Sequence, residues 1–211
     1  MISHKYRFVC PRIGKNASST LVRFFSQLDS SLIDEGHESV LGDGFKPFLE
    51  KFFNNNSHNK YFKFAFARNP YDRLVSAWFE YCKKDQFSDI KNKVKNDKDH
   101  SVEDTLQNFK DFVRMSLKYP HIHWKSQYEM IHHDDDLLVH YIGKVENIKL
   151  DLMNVCNILG IKNHDVDIPT VRSTPNRTHY SKYYDEELQS LVKETYAKDL
   201  SFFEYEFEWR N

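Results

Sequence analysis

The sequence predicts an α/β fold, an open parallel sheet flanked by helices and formed as a single domain over residues 1–211. Three observations predict it. Residues 6–28 and 61–83 each run from a short aromatic or β-branched stretch into apolar residues at helical spacing. Residues 137–159 repeat that strand-then-helix order. The length of 211 residues suits one domain and is enough to bury a full hydrophobic core.

Taken in order, residues 6–10 read as a buried strand. Beyond a loop, Leu21, Phe24, Phe25 and Leu28 share one helix face, so a helix starts at Ser18 or Ser19. Residues 34–60 are polar and broken by Gly42-Asp43-Gly44 and Asn54-Asn55-Asn56, with a short helix over 48–53. Residues 61–67 form a second strand that Asn69-Pro70 ends, and 71–83 a helix. The charged stretch 84–100 has little apolar content and reads as a mobile surface insertion. Ser101-Val102-Glu103-Asp104 resembles a capping box that opens a helix to about residue 117. A loop at 121–127, a third strand at 137–145 and a helix at 146–159 ended by Gly160 follow. A Pro-containing loop at 165–181 leads to a final helix at 184–200.

Composition narrows the function. Seventeen Phe, twelve Tyr and three Trp exclude wholesale disorder. Thirty basic residues against thirty-one acidic ones leave no global field for nucleic acid, although a local anion pocket stays open. No eighteen-residue apolar run exists to span a membrane, and the first residues lack the apolar core of a signal peptide. Cys10, Cys82 and Cys156 are odd in number and far apart, as expected of reduced thiols in a cytoplasmic protein. His132-His133-Asp134-Asp135-Asp136 reads as a solvated turn, because adjacent histidines do not converge on one ion; no metal is expected.

Two motifs carry chemistry. The first, Arg12 to Leu21, lies between a strand and a helix and contains Lys15-Asn16-Ala17-Ser18-Ser19-Thr20. Small residues let the backbone curl around an anion, the helix start presents N–H groups, and Lys15 adds a charge that Arg12 is near enough to share. The result is P-loop-like without being a Walker A loop, since Val9 stands where that pattern needs Gly and Asn16 where it needs Ser or Thr. A plain helix start with a spare lysine reads the same way. The second motif is Arg68-Asn69-Pro70-Tyr71-Asp72-Arg73-Leu74-Val75-Ser76-Ala77. Arg68 ends a buried strand, the usual place for ligand contacts in an open α/β sheet. Arg73 and Ser76 lie one turn apart, an arginine fork beside a hydroxyl that suits a phosphate. Pairing of either arginine with Asp72 is the plainer alternative.

Together these motifs resemble those of sulfotransferases that use 3′-phosphoadenosine 5′-phosphosulfate. His123-Trp124-Lys125-Ser126-Gln127, the stretch from Tyr141 to Ile148 and the pair Tyr183-Tyr184 resemble the carbohydrate branch, sulfotransferase family 2. The resemblance departs at Gly14, where a proline is usual, and in the lack of an anchor segment, which sets a Golgi-like setting aside. It implies that Lys15, Asn16, Ala17, Ser18, Ser19 and Thr20 bind the 5′-phosphosulfate and that Arg68, Arg73 and Ser76 bind the 3′-phosphate. Lys15 and His123 are the implied catalytic residues, His123 as base. Arg172 and Arg177 are further candidates for cofactor contact. The partners implied are this nucleotide cosubstrate and an acceptor hydroxyl on a sugar. A P-loop-type kinase or hydrolase, and an inactive nucleotide-binding module of the same fold, stay open as alternatives.

Overall fold

Alternation builds the central strand. Phe62, Phe64 and Phe66 fall on one face of a six-residue run, and Lys63, Ala65 and Ala67 on the other. In the computed structural model, which describes residues 1–36, 45–83, 87–162 and 177–210, this run is the strand β3. In chain order the first elements are β1 (Ile2–Ser3), β2 (Phe8–Val9), α1 (Ser18–Leu28), α2 (Phe45–Phe52), β3 (Phe62–Ala67) and α3 (Pro70–Lys83). Next come α4 (Ser88–Lys95), α5 (Val102–Gln107), α6 (Phe109–Lys118), α7 (Gln127–Ile131), β4 (His132–His133) and β5 (Asp136–Leu137). The last are β6 (Tyr141–Lys144), α8 (Ile148–Ile158), α9 (Glu186–Thr195) and α10 (Ala197–Phe202).

The main sheet has the order β1-β2-β3-β6. β2, β3 and β6 are parallel, in the registers Phe8↔Phe62 and Phe66↔Gly143, and β1 adds an antiparallel edge. This is the expected mostly parallel α/β sheet flanked by helices. The chain divides into two compact units. One holds the described residues of 1–68 and 127–162, and therefore the whole sheet; the other holds 69–126 and 177–210.

In the first unit Phe64 on the aromatic face of β3 meets Phe8 and Phe25, with ring centroids 5.4 and 5.7 Å away, and α8 adds Leu152 and Val155. Gly143 in β6 is required by close approach, since a Cβ there would stand 2.7 Å from the Phe66 ring. The expected strand at 137–145 is divided: β4 and β5 form a hairpin around Asp134, and only Tyr141–Lys144 pairs with β3. The chain changes partners at His140, whose N–H donates to the Lys63 carbonyl. The string from His132 to Asp136 is this hairpin, with its three aspartates exposed.

In the second unit, α3, α6 and α9 close around an aromatic core that includes Tyr81, Phe112 and Tyr184. The expected insertion at 84–100 is corrected over its described part. Phe87, Ile90 and Val94, spaced as one helix face, bury α4 in that core. The helix expected from Ser101 is two, because Asn108 turns extended and caps α6 through the Lys110 N–H. Ser101 caps α5 as expected. The final helix also divides, at Tyr196, whose hydroxyl is drawn to the Trp124 carbonyl. Cys10 and Cys156 are buried and Cys82 is exposed.

Two predictions follow from this packing. Phe87→Ala should destabilise the chain by about 3–5 kcal/mol in urea unfolding, whereas Lys93→Ala on the exposed face of α4 should change stability by less than about 0.5 kcal/mol. Burial, with a smaller contribution from Lys63, pulls His58 and His140 below their ordinary value of 6.5. The unfolded chain then binds protons that the fold excludes, so stability should decline as pH falls below 6.5. Urea midpoints measured between about pH 7.5 and 5 should show that decline, and it should be shallower in Lys63→Met.

Candidate active site

The loop after β2 folds under constraint. Lys15 and Ala17 both take positive φ, 68° and 58°, where side-chain-bearing residues are disfavoured by about 1–3 kcal/mol. Left-handed residues alternating along a loop turn successive N–H groups into a concavity, a geometry that receives anions. Ala17 is the N-cap of α1, and no side chain caps that helix. The positive end of the helix dipole therefore faces the loop. Ser18 and Thr20 are nearly buried and Ser19 is exposed. Among the described residues their hydroxyls take no hydrogen-bond partner. Lys15 is half-buried, and Arg12 pairs with Asp34 at 2.7 Å.

A buried carboxamide pins this loop to the end of β3. Gln127 is fully buried, and its Oε1 accepts from Asn16 Nδ2 at 2.6 Å and from the Arg68 N–H at 2.9 Å. Its Nε2 donates to the Arg68 carbonyl at 2.9 Å. Asn16 Nδ2 also donates to the Phe66 carbonyl at 2.6 Å. Asn16 was expected to bind cofactor; its side chain instead fastens the loop to the sheet, because both of its N–H groups are engaged there. Arg68 is half-buried, and its Nη1 donates to the Lys15 carbonyl at 3.0 Å. The first unit thus brings Arg68 together with Lys15 and the curled loop.

The second unit holds the other candidates. α3 starts on Asn69, whose side chain accepts from the Tyr71 N–H and donates to the Glu206 carbonyl. Arg73 is 1% exposed, and its guanidinium donates to the carbonyls of Ile122 at 3.1 Å and Lys125 at 2.6 Å. The expected phosphate fork at Arg73 is therefore corrected to a brace for the loop that carries His123. Ser76 is 8% exposed, with no partner for its hydroxyl among the described residues. His123 is nearly buried, its Nδ1 is 3.1 Å from His121 Nδ1, and its Nε2 is 4.0 Å from Glu80. Arg172 lies outside the described residues. Arg177 bonds Asp72 through both the carboxylate and the carbonyl, so it supports the start of α3.

Two further residues, Gln127 and Glu80, were given no role from the sequence. Gln127 ends the His123-to-Gln127 stretch, but a glutamine in a loop gives no sign of being buried. Glu80 had a readable signal. Arg73, Ser76 and Glu80 follow the i, i+3, i+7 spacing of one helix face, and a polar stripe on an otherwise buried helix marks a functional side.

The chain matches the Sulfotransferase family over residues 1–206, and it belongs to that family. Carbohydrate sulfotransferase 10 of Danio rerio is 27% identical over 175 residues, 70% of this chain and 47% of the relative. The chain thus spans about half the length of that curated relative. No solved structure matches it. Among the described residues, no helix is long and apolar enough to cross a membrane.

Gln127→Ala should destabilise the chain by several kcal/mol, at about 1–3 kcal/mol for each buried group left unpaired on Asn16 and Arg68. Urea unfolding of Gln127→Ala beside the exposed control Glu129→Ala checks it; equal midpoints would count against the lock.

Proposed function

We propose that this member of the sulfotransferase family transfers a sulfuryl group from 3′-phosphoadenosine 5′-phosphosulfate to an acceptor hydroxyl on a carbohydrate, by in-line displacement. One observation carries the reading: a left-handed loop on an uncapped helix start, with Arg68 donating to its Lys15 carbonyl. The name of the Danio rerio relative supports a carbohydrate acceptor. Residues 1–211 act in this reading as one sulfotransferase domain, in a cytoplasmic setting.

Each residue has a role set by its chemistry. Lys15 meets the negative charge that grows on the bridging oxygen of the leaving 5′-phosphate. Ser18, Ser19 and Thr20 give hydroxyl and backbone donors to the same group, and Ala17 gives the loop its turn. Arg68 and Ser76 bind the 3′-phosphate by charge-assisted hydrogen bonds. Asn16 and Arg73 act one step back, holding the loop and the His123 segment. His123 takes the acceptor proton, a contribution typically worth 10²–10⁴-fold. A sulfuryl group carries less charge than a phosphoryl group, so these fixed donors serve without Mg²⁺.

Adenosine 3′,5′-bisphosphate, the product left after transfer, gives the test. At one hundred times its dissociation constant it should stabilise the fold by about 2.7 kcal/mol, raising Tm by roughly 5–10 °C without Mg²⁺. AMP should give less at equal concentration. Lys15→Ala should lower kcat far more than it weakens the bisphosphate. Ser76→Ala should leave stability nearly unchanged and weaken the bisphosphate about tenfold or more, with little effect on AMP. A larger shift with Mg-ATP than with the bisphosphate would overturn the reading in favour of a kinase.

A further inference from the structure

We infer that Glu80 is a positioning residue for His123, holding the proton that base catalysis places on the His123 Nε2. The inference rests on the proposed sulfuryl transfer with His123 as base. In that step the acceptor O–H proton passes to Nε2 while the oxygen lone pair forms the new bond to sulfur. The bond from sulfur to the bridging oxygen breaks, and its electron pair leaves on the 5′-phosphate. An imidazolium is left behind, and a carboxylate beside it makes it easier to form.

The contacts between the two histidines fit one resting tautomer. The backbone N–H of His123 donates to His121 Nδ1 at 3.3 Å, so His121 Nδ1 carries a lone pair. The 3.1 Å contact between the two Nδ1 atoms then has His123 as its donor. The inference accordingly places the resting proton of His123 on Nδ1 and leaves Nε2 as its basic nitrogen. Glu80 Oε2 stands 4.0 Å from that nitrogen, too far for a hydrogen bond to the resting ring and close enough to attract a charged one.

The surroundings make the geometry firm. The side chains of His123 and Glu80 are 11% and 17% exposed, so water screens the pair only in part. The two imidazoles stack with centroids 4.9 Å apart and planes 9° from parallel. Phe87, just before α4, sets its ring 5.3 Å from His123 and brings no charge. Glu80 from α3 and His121 from its own loop are titratable groups that face the ring. The same helix face carries Arg73, which braces that loop through the Ile122 and Lys125 carbonyls. One stripe of α3 thus holds the backbone on either side of His123 and sets a carboxylate beside its basic nitrogen.

The test reads the ring itself. The ¹⁵N-labelled full chain is titrated by NMR through the histidine range, with His123→Gln assigning the ring signals. Above the titration, His123 should show the Nδ1–H tautomer. In Glu80→Gln, which keeps the side-chain size, the ring should take its proton at lower pH than in the wild type. Glu80→Asp keeps the charge and should restore most of the difference, which separates charge from packing. Identical titrations in wild type and Glu80→Gln, or an Nε2–H tautomer in the wild type, would overturn the inference. These readings need neither donor nor acceptor, whereas failure of the sulfuryl-transfer reading shows separately, as absence of bisphosphate binding.

Discussion

The carboxamide of Gln127 is the contact on which the first unit's candidate site depends. Its oxygen accepts two N–H groups and its nitrogen donates to a carbonyl, so its orientation has one solution. That fixes Asn16 in turn, whose nitrogen must donate both to Gln127 and to the Phe66 carbonyl. A serine or threonine at position 16 has one hydroxyl hydrogen and could serve only one of those acceptors. The departure from a Walker A loop at Asn16 therefore has a structural cause. The loop is anchored to the strand beside it by a side chain that donates twice.

The anchor also explains how the loop keeps its strain. Left-handed Lys15 and Ala17 persist only where surrounding contacts over-determine them. Asn16 lies between the two and is buried and bonded at both hydrogens, so neither neighbour can relax without breaking it. Arg68 adds a further hold through the Lys15 carbonyl. Strain in the loop and hydrogen bonding below it are two aspects of one preorganised backbone, whose donors need no rearrangement to meet a charge.

The arginines divide by what they reach. Arg12 meets Asp34, Arg177 meets Asp72, and Arg73 meets two loop carbonyls from a buried position. A planar guanidinium suits such bracing, because its forked donors satisfy several acceptors at fixed angles. Positive charge in a motif thus does not by itself mark a ligand contact. Arg68 differs in staying half-buried at the end of β3, beside the loop.

The sequence by itself determined the strand-then-helix pairs β2–α1, β3–α3 and β6–α8, a start of α1 at Ser18 or Ser19, the α/β class and the two motifs, because each is local and rests on periodicity, capping or turn chemistry. It also carried the family, through motif order along nearly the whole chain. Tertiary structure alone decided which polar side chains are bonded into the frame and which stay part-exposed. Arg73 and Arg68 are equal as letters, yet one is buried against carbonyls and the other is half-buried beside Lys15. The charged stretch containing α4 looked like surface because three apolar residues among many lysines seem too few, until Phe87, Ile90 and Val94 are seen against one core. The burial of Gln127 became legible only once distant segments met, since a hydrogen bond 111 residues long in sequence leaves no local pattern.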